Sequence, residues 1–536
     1  MRVISVLLTF GLMSVLWAQA PAGKPGSIAG TITDSVSHQG IRRATVSIVS
    51  PPHLSRLVLA DEAGKFQFPN LEPGPYQVEY VRAPGYLYQP HTRLVFVVTE
   101  DHTANVQVDL TPLGVVSGKA VDSSGDPFVG AHVTIVGYTY SKGTRTLEAV
   151  DGTTTDDRGE YRIFNLKPGK YVAMASVPSA ATRGPGLEWL PAGTVHVGVE
   201  MGFAHQFFSG GSDVTQATTI VVPPGGEISG IDFRLRSVPV YHIRGKFATA
   251  EGAMPPNIAA RPCGHTGVAD ELERFGGNSS RSAFDVGGLP AGVYCLTFSE
   301  PGWRNSQDVS DPVTITDRSV DAVPVHIQAP FTLMGTVTVE GKPTDGSIRL
   351  DSVNGGLRLP LFGAWEQEKL TVRNVIPGDY RVGLNASASF YLKSVQLGTE
   401  EAPDGVIHVR GPELPIHLVI GSDGGILIGK VRTEAGELAS LVSVTIAPVG
   451  PFASRLDMVR SIVTNSAGEF SAGGLAPGNY RIFAWGDADL PMAADRDFRA
   501  LFASHASEVT ITAGDPIRVE AKLITAEAIR QAKEKY

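Results

Sequence analysis

Short stretches in which apolar and polar residues alternate run through most of the chain, and this pattern predicts β-strands. In residues 131–136, Ala131, Val133 and Ile135 fall on one face of an extended segment. Segments rich in Asp, Ser, Gly and Pro separate the stretches, as expected of tight turns. A sustained helical period is absent until about the last dozen residues. The pattern therefore predicts an all-β chain of many short strands.

A six-residue signature recurs five times: an apolar residue, any residue, Pro or Ala, Gly, any residue, and Tyr. The copies occupy residues 71–76, 166–171, 289–294, 375–380 and 475–480. We expect Pro to fix φ before a bend and Gly to take the positive φ that follows. The Tyr ring would lie over a sheet edge, with its hydroxyl bonded to backbone. The structural signature residues are Gly74, Tyr76, Gly169, Tyr171, Gly292, Tyr294, Gly378, Tyr380, Gly478 and Tyr480.

A second mark, a glycine inside an apolar strand, lies about 45 to 50 residues before the tyrosine of each signature. These strand glycines are Gly30, Gly118, Gly245, Gly335 and Gly429. The repeat distance, about 85 to 125 residues, is that of a small domain. We therefore predict a tandem array of about five seven-stranded Greek-key β-sandwiches of prealbumin-like type. The predicted units are 23–112, 113–237, 238–329, 330–420 and 421–525, followed by a tail at 526–536 that forms a helix or frays.

The N-terminus has the pattern of an export signal peptide, which we place at residues 1–22. Arg2 precedes an apolar run over residues 3–17, and small residues follow. Cleavage after Ala20 would be hindered by Pro21, so cleavage after Ala22 stays an alternative. The run is short for a membrane anchor, and no later stretch is apolar enough to span a bilayer. We expect an exported protein, periplasmic or extracellular, without a transmembrane segment in the mature chain.

The cysteines and the net charge bear on stability and on the class of partner. The chain has two cysteines, Cys263 and Cys295, both in the third unit. In an exported protein they can form a disulfide, and the alternative is that they stay unpaired. The net charge is −9 and no basic stripe is present, so nucleic acid is not an expected partner.

The second unit carries the residues of a known domain family. Its stretch 121–131, Val-Asp-Ser-Ser-Gly-Asp-Pro-Phe-Val-Gly-Ala, resembles the opening of the carboxypeptidase regulatory-like domain. The Asp-x-x-Gly-x-Tyr/Phe turns and the tyrosine signature are similar to the second half of that domain. The resemblance is strong in units one, two and five and weaker in three and four. It implies a transthyretin-like, carbohydrate-binding-like sandwich, and it implies no catalytic residues. Residues 220–235 resemble the closing hairpin of such units.

Candidate catalytic and metal-binding motifs are weak, so we predict no enzyme, no metal and no cofactor. His505 and Glu508 form a His-x-x-Glu pair with no later histidine to complete a zinc site. Residues 424–431 mimic a phosphate-binding loop, but Val431 replaces the Ser or Thr that would hold Mg²⁺. Asp122 and Asp156 sit in Asp/Gly turns, which occur for backbone reasons without calcium.

Aromatic side chains in variable segments are the remaining candidates for ligand binding, because sugar rings stack on aromatic faces. The candidates are Tyr138, Tyr140, Trp189, Trp303, Trp365 and Trp485. The alternative is that these rings cap the sandwiches or pack neighbouring units. Residues 176–211 form an insertion that the other units lack, and a specific site is expected there.

These observations predict a non-catalytic, exported protein of the cell envelope that binds or spaces other molecules. The expected partner is an envelope protein or a glycan. One alternative is a carbohydrate-binding array. Another is an accessory or regulatory subunit of an envelope peptidase or outer-membrane receptor.

Overall fold

The structure is a computed structural model that describes residues 24–535 apart from a set of internal gaps. The gaps are 51–53, 89–94, 142–143, 178–199, 248–256, 264–271, 273, 281, 300–306, 309–310, 326, 328, 342–345, 354–359, 386–389, 487, 489 and 515. The predicted signal peptide lies outside the described residues. The chain divides into two compact units, one ending at Pro112 and the other beginning at Leu113.

Strands dominate every repeat. The first contains β1 (Gly26–Asp34), β2 (Thr45–Ser50), β3 (Leu54–Leu59), β4 (Lys65–Leu71), β5 (Gly74–Arg82), β6 (Tyr86–Leu87), β7 (Val95–Val98) and β8 (Thr103–Pro112). The second contains β9 (Gly114–Val121), β10 (His132–Ser141), β11 (Thr144–Thr154), β12 (Glu160–Leu166), β13 (Gly169–Ser176), β14 (Met201–Phe203), β15 (Gln206–Phe207), a 3-10 helix (Val214–Gln216), β16 (Ile220–Val222), β17 (Glu227–Ile228), β18 (Phe233–Arg234) and β19 (Ser237–Pro239).

The third repeat contains β20 (Tyr241–Lys246), β21 (Asn257–Pro262), β22 (Phe275–Gly276), β23 (Asn278–Ser279), β24 (Ala283–Leu289), β25 (Gly292–Ser299), β26 (Gln307–Asp308), β27 (Val313–Ile315) and β28 (Val320–Pro324). The fourth contains β29 (Phe331–Val339), β30 (Gly346–Ser352), β31 (Leu361–Glu366), β32 (Lys369–Val375), β33 (Gly378–Asn385), β34 (Tyr391–Leu397), β35 (Glu400–Glu401), β36 (Val406–Val409) and β37 (Ile416–Gly421).

The fifth repeat adds helices to its strands. It contains β38 (Gly425–Arg432), β39 (Ser443–Pro448), β40 (Arg460–Val463), β41 (Glu469–Leu475), β42 (Gly478–Trp485), α1 (Leu490–Ala493), α2 (Arg496–Ala500), β43 (Ser507–Ile511), β44 (Ile517–Ile524) and α3 (Ala526–Lys535). Short 3-10 helices lie at Gly450–Phe452, Leu456–Met458 and Ala503–His505. The predicted C-terminal tail is therefore helical over most of its length.

The first and fifth repeats share a core of one three-strand and one four-strand sheet. In the first repeat the core strand orders are β4-β1-β8 and β3-β2-β5-β7. The fifth repeat reproduces them as β41-β38-β44 and β40-β39-β42-β43. The two sheets are joined into one in the fourth repeat, where β31 pairs with β32, and in the fifth, where β42 pairs with β44. The predicted fold class, an all-β array of Greek-key sandwiches, is confirmed.

The closing strands of a repeat differ from the prediction. Residues 220–235 were expected to form a closing hairpin, yet β16 pairs with β13, while β17 and β18 pair with β9. The hairpin prediction is wrong because the intervening turn carries the chain from one sheet to the other. The last strand then runs parallel to the first strand of its repeat, as β8 runs parallel to β1.

The strand glycine lies at the same register position in every repeat. Gly30 is opposite Phe66 across the antiparallel pair β1–β4, and it is paired with Val106 in the parallel pair β1–β8. The other four are opposite a corresponding large side chain: Gly118 with Tyr161, Gly245 with Phe284, Gly335 with Leu370, and Gly429 with Phe470. A Cβ at Gly429 would overlap the Phe470 ring, and one at Gly335 would overlap the Ile416 carbonyl oxygen. Glycine is therefore required by close approach at this position.

Five separate clusters of buried apolar side chains form the cores, one inside each predicted unit. A sixth cluster packs helices α1 to α3 onto the fifth sandwich around Trp485. In the third repeat, Cys263 and Cys295 are joined in a disulfide that spans 32 residues of sequence. A loop of this length corresponds to about 3–4 kcal/mol of stabilisation in the chain-entropy description.

We predict that Gly335→Ala destabilises the fourth repeat by about 1–3 kcal/mol, because the added methyl group overpacks the β29–β37 pair. Hydrogen exchange of core amides in the fourth repeat measures the local free energy of unfolding. Gly383→Ala in β33 is the matched control, since the nearest atom to its added Cβ would lie 3.8 Å away. Equal protection of both variants would contradict the close-approach explanation.

Candidate functional site

The signature tyrosines are structural groups. All five are buried, with exposed fractions between 1 % and 9 %. In three repeats the hydroxyl donates to the carbonyl oxygen four residues earlier: Tyr171 to Lys167 (2.6 Å), Tyr294 to Pro290 (2.9 Å) and Tyr380 to Ile376 (2.8 Å). The bond closes the turn that starts each signature. Burial raises the pKa of the Tyr480 hydroxyl to about 12, so this group does not ionise near neutral pH.

The aspartate turns also have backbone explanations. Asp156 Oδ1 accepts hydrogen bonds from the amides of Arg158 (2.9 Å) and Glu160 (2.8 Å). Asp122 Oδ1 accepts in the same way from residues two and four positions later. In the fifth repeat the uncharged Asn465 makes the equivalent pair of bonds, each 2.9 Å. A carboxylate is therefore not needed for this turn. Across the described residues, no group of three or more His, Cys, Asp or Glu has the geometry of a metal site.

The His-x-x-Glu pair is divided between two elements. His505 ends a 3-10 helix, whereas Glu508 lies in β43 and is held by Arg481 of β42 at 2.9 Å. Residues 425–431, which mimic a phosphate loop, belong to strand β38. The described helices include none that is long and apolar enough to cross a membrane.

The prediction that Trp365 and Trp485 form exposed platforms for a ligand is wrong. Each of these side chains is only 1 % exposed. Trp365 belongs to the core of the fourth repeat. Trp485 stacks on Phe483, with 5.4 Å between ring centroids, and is covered by Phe498 of α2. Its Nε1 donates to Thr445 Oγ1 at 3.0 Å. Both tryptophans lie on strands whose inward faces need large side chains. Trp189 and Trp303 lie outside the described residues.

Tyr138 and Tyr140, which the sequence places in a variable segment, lie on β10 in the long β10–β11 hairpin. The Arg145 guanidinium sits over the Tyr138 ring, 3.6 Å from its centroid. Tyr138 is 48 % exposed, and β10 contacts helix α1 of the fifth repeat. The Tyr138 ring is therefore partly covered by its own hairpin, and the hairpin as a whole reaches the fifth repeat.

A cavity of about 470 Å³ lies between the second and third repeats. Its apolar lining comes from Met174, Val177, Phe203, Val240, Leu272 and Phe275. Its polar lining comes from His132, Asp151, Glu200, His205 and Arg274. A cavity of this size, with a few polar groups on an apolar wall at a domain boundary, has the usual features of a ligand site. Part of the wall, including Glu200, Phe203 and His205, belongs to the insertion 176–211.

The insertion returns to the fold next to this cavity. Strand β14 pairs with β19, the segment that links the second repeat to the third. The Glu200 carbonyl oxygen accepts a hydrogen bond from the Val240 amide at 2.9 Å. The insertion is thereby attached to the linker between the repeats.

A partly buried ionic network lies behind the Glu200 side of the cavity. His242 Nε2 is 2.8 Å from Glu200 Oε2, and His242 Nδ1 is 2.5 Å from Asp285 Oδ1. Arg244 Nε donates to the other oxygen of Asp285 at 3.1 Å. The hydrogen bond to Asp285 raises the pKa of His242, against the opposing effect of burial. Burial alone would raise the pKa of Asp285, but its bonds to His242 and Arg244 lower it.

The first repeat has a separate groove of about 780 Å³. Tyr80, Tyr86 and Tyr88 line it together with Arg43 and Arg82. Arg82 lies over the Tyr80 ring, 4.8 Å from the centroid. The Tyr88 hydroxyl is buried and has no hydrogen-bond partner among the described residues, and burial raises its pKa to about 12.

Sequence reasoning did not identify Glu200, His242, Asp285 or the tyrosines of this groove. One signal was available for Asp285. If Gly245 is opposite Phe284, as in every other repeat, then Arg244 must be opposite Asp285, and the structure has that register. Glu200 reaches His242 through a segment without a counterpart in the other repeats, so no repeat alignment could place it.

Two segments match the family model described as the carboxypeptidase regulatory-like domain, residues 27–111 and 115–236. These segments are the first and second repeats, and the match confirms the resemblance that their sequence suggested. No curated protein matches the chain.

Several solved structures of tandem β-domain proteins are similar to parts of the chain. The Bacillus anthracis TIE protein is 17 % identical over 56 % of this chain and 51 % of its own length, with a TM-score of 0.19. The chain thus spans about half the length of that protein. A minor pilin of Streptococcus agalactiae is 14 % identical over 40 % of this chain and 97 % of its own, with a TM-score of 0.22. The major pilin subunit of Bacillus cereus is 8 % identical over 93 % and 99 %, with a TM-score of 0.17. TM-scores this low carry no functional argument.

We predict that Tyr380→Phe destabilises the fourth repeat by about 1–3 kcal/mol, because the buried Ile376 carbonyl loses its donor. Hydrogen exchange of amides in β29 to β33 measures the loss. Tyr138→Phe is the control, since that ring is half exposed, and a change within about 0.5 kcal/mol is expected in the second repeat. An unaltered fourth repeat would show that the hydroxyl bond is not structural.

Proposed function

We propose that this chain is an exported, non-catalytic protein of the cell envelope that binds a partner through an array of β-sandwiches. The leader-like N-terminus supports export, and the use of the repeat signatures for turns and packing supports a scaffold role. The observation that carries the binding role is the cavity between the second and third repeats. It combines an apolar wall with carboxylate, imidazole and guanidinium groups, and it is built partly from the insertion that the other repeats lack.

The favoured occupant is a segment of an envelope protein. The apolar wall, which includes Met174 and Phe275, suits aliphatic or aromatic side chains of a partner. Asp151 and Arg274 at the polar side offer one acceptor and one donor group for a peptide. Binding at the joint of two sandwiches would also explain why the insertion is attached to the linker.

Site-specific photocrosslinking in producing cells tests this proposal. A benzoylphenylalanine at Gly276 is placed on the cavity lining and has room there, since nothing lies within 4 Å of a Cβ built at this position. We expect one discrete crosslinked protein from this position. The same residue at Gly383 in the fourth repeat is the control and should give none. Equal crosslinking from both positions would reject the cavity as the binding site.

A cavity-filling variant then tests the partner obtained. Gly276→Trp in the otherwise native chain should weaken binding of the purified partner about tenfold or more, by occupying its space. Gly383→Trp should leave the affinity within about twofold. If activity toward a peptidase substrate panel appeared instead and disappeared with a chelator, the non-catalytic assignment would be wrong.

Carbohydrate binding is the second candidate function, and the groove of the first repeat favours it. Tyr80, Tyr86 and Tyr88 supply aromatic surface on which a sugar ring would stack. Arg43 and Arg82 add guanidinium donors at its rim.

We predict that, under this alternative, acidic oligosaccharides such as oligogalacturonate bind the full chain more tightly than neutral ones of equal length. Tyr80→Ala should weaken binding about fivefold or more, because it removes part of this aromatic surface. Tyr138→Ala, in the second repeat, is the control. Isothermal titration calorimetry measures the affinities, and absence of any heat across the panel would remove this candidate.

A further inference from the structure

We infer that the second and third repeats are joined by a proton-dependent clamp, in which the His242 imidazole is held between Glu200 and Asp285. Glu200 belongs to the second repeat's insertion, whereas His242 and Asp285 lie on β20 and β24 of the third repeat. The clamp closes when the imidazole carries both protons, and its Glu200 side opens when one proton leaves. This inference goes beyond the proposed binding role and holds whether or not the cavity has a ligand.

Both ring nitrogens of His242 face carboxylate oxygens, Glu200 Oε2 at 2.8 Å and Asp285 Oδ1 at 2.5 Å. A carboxylate is an acceptor only, so each contact needs an N–H on the ring. Neutral imidazole has one N–H, and imidazolium has two. The observed pair of contacts is therefore complete only in the protonated form.

The backbone around His242 makes room for the ring and fixes it there. The β20–β24 register shifts between Tyr241 and Ile243, so Gly287 and Gly288 form a bulge opposite His242. A Cβ at Gly287 would lie 2.5 Å from the imidazole Cε1. The His242 amide also donates to Ser319 Oγ at 3.0 Å. The ring is only 16 % exposed.

The charges around the ring favour its protonated form. Asp285 on β24 and Glu200 before β14 contact it directly, and Asp321 of β28 lies beyond Arg244. Arg244 of β20 is the one cation bound to this group among the described residues, at 3.1 Å from Asp285 Oδ2 and 3.3 Å from Asp321 Oδ1. Glu200 also borders the cavity whose other ionisable lining groups are His132, Asp151, His205 and Arg274.

The two carboxylates are held unequally, which decides where the clamp opens. Asp285 keeps its bond to Arg244 and is 30 % exposed, whereas Glu200 is 43 % exposed and its side chain is bound by His242. A neutral imidazole would keep its remaining proton on Nδ1 for Asp285. Its bare Nε2 lone pair would then face the Glu200 carboxylate, so Glu200 turns to solvent.

The direction of the pH effect follows from the raised pKa of His242. A group whose pKa is raised on folding adds stability that is complete below its unfolded value, 6.5 here, and that is lost as the pH rises through the folded value. On the acid side the clamp fails when the carboxylates become protonated. The second and third repeats should be held most tightly at pH values above those that protonate the carboxylates and below the one at which His242 loses its proton.

Hydrogen exchange of the full chain tests the clamp at the adjacent β14–β19 pair and at the Val240 amide, which donates to Glu200. After correction for intrinsic rates, we expect protection at Gly202 and Val240 to fall about fivefold between about pH 6 and about pH 10, as expected for a partly exposed charged bond. Core amides of the fifth repeat should not change.

His242→Gln should show the low protection at both pH values, and Glu200→Gln should lose most of the pH dependence. His408→Gln is the control, because His408 also contacts an aspartate, Asp379 at 2.8 Å, but in the fourth repeat. It should behave as the unaltered chain. Constant protection across the pH range, or a pH dependence that survives in His242→Gln, would overturn the inference. If His242→Gln fails to fold, Glu200→Gln alone decides, since its side chain is nearly half exposed.

Discussion

The first strand of every repeat has no room for a side chain at one position, because a neighbouring ring, a neighbouring backbone carbonyl or both occupy that space. The ring of the residue opposite, Phe66, Phe284 or Phe470, crowds the glycine in the first, third and fifth repeats. A carbonyl oxygen on the parallel side, that of Val106, Ile231, Val323 or Ile416, crowds it in the first four repeats. A shift by one residue would place a bulky residue where only glycine fits and would turn the strand's inward side chains outward. This close approach therefore fixes the register of the three-strand sheet.

Once the register is fixed, the outward-facing pairs on either side of the glycine are fixed too. In the second repeat Lys119 is opposite Glu160, at 2.8 Å, and in the fifth Lys430 is opposite Glu469, at 3.0 Å. In the third repeat the pair lies on the other side of the glycine, where Arg244 meets Asp285. The exposed pairs add little stability. The partly buried Arg244–Asp285 pair differs because it holds one end of the His242 clamp.

Much of the fold was open to prediction because its signals are local and repeated. Strand alternation, the strand glycine and the tyrosine turn each depend on neighbours that are near in sequence or recur at a fixed interval. The tyrosine hydroxyl, for example, reaches a carbonyl only four residues away. Non-local relations were harder to predict. The closing strands seemed to form a hairpin because their sequences alternate alike, although each joins a different sheet. Trp485 seemed exposed because the helices that cover it follow later in the chain.

At the candidate site, too, the local repeated features could be predicted and the non-local contacts could not. Every repeat has a bulge before its tyrosine signature, with a residue of positive φ at Asn70, Asn165, Gly288, Asn374 or Gly474. In the third repeat this bulge carries a second glycine at Gly287, as the fifth does at Gly473, and the residue opposite is His242. The repeated architecture thus supplies a bulge, and in the third repeat the imidazole of His242 lies against it. Glu200 completes the arrangement from a segment without a repeat counterpart. A specific property therefore arises where a non-repeated segment meets a slightly altered copy of the common fold, and in this chain that place is the joint between the second and third repeats.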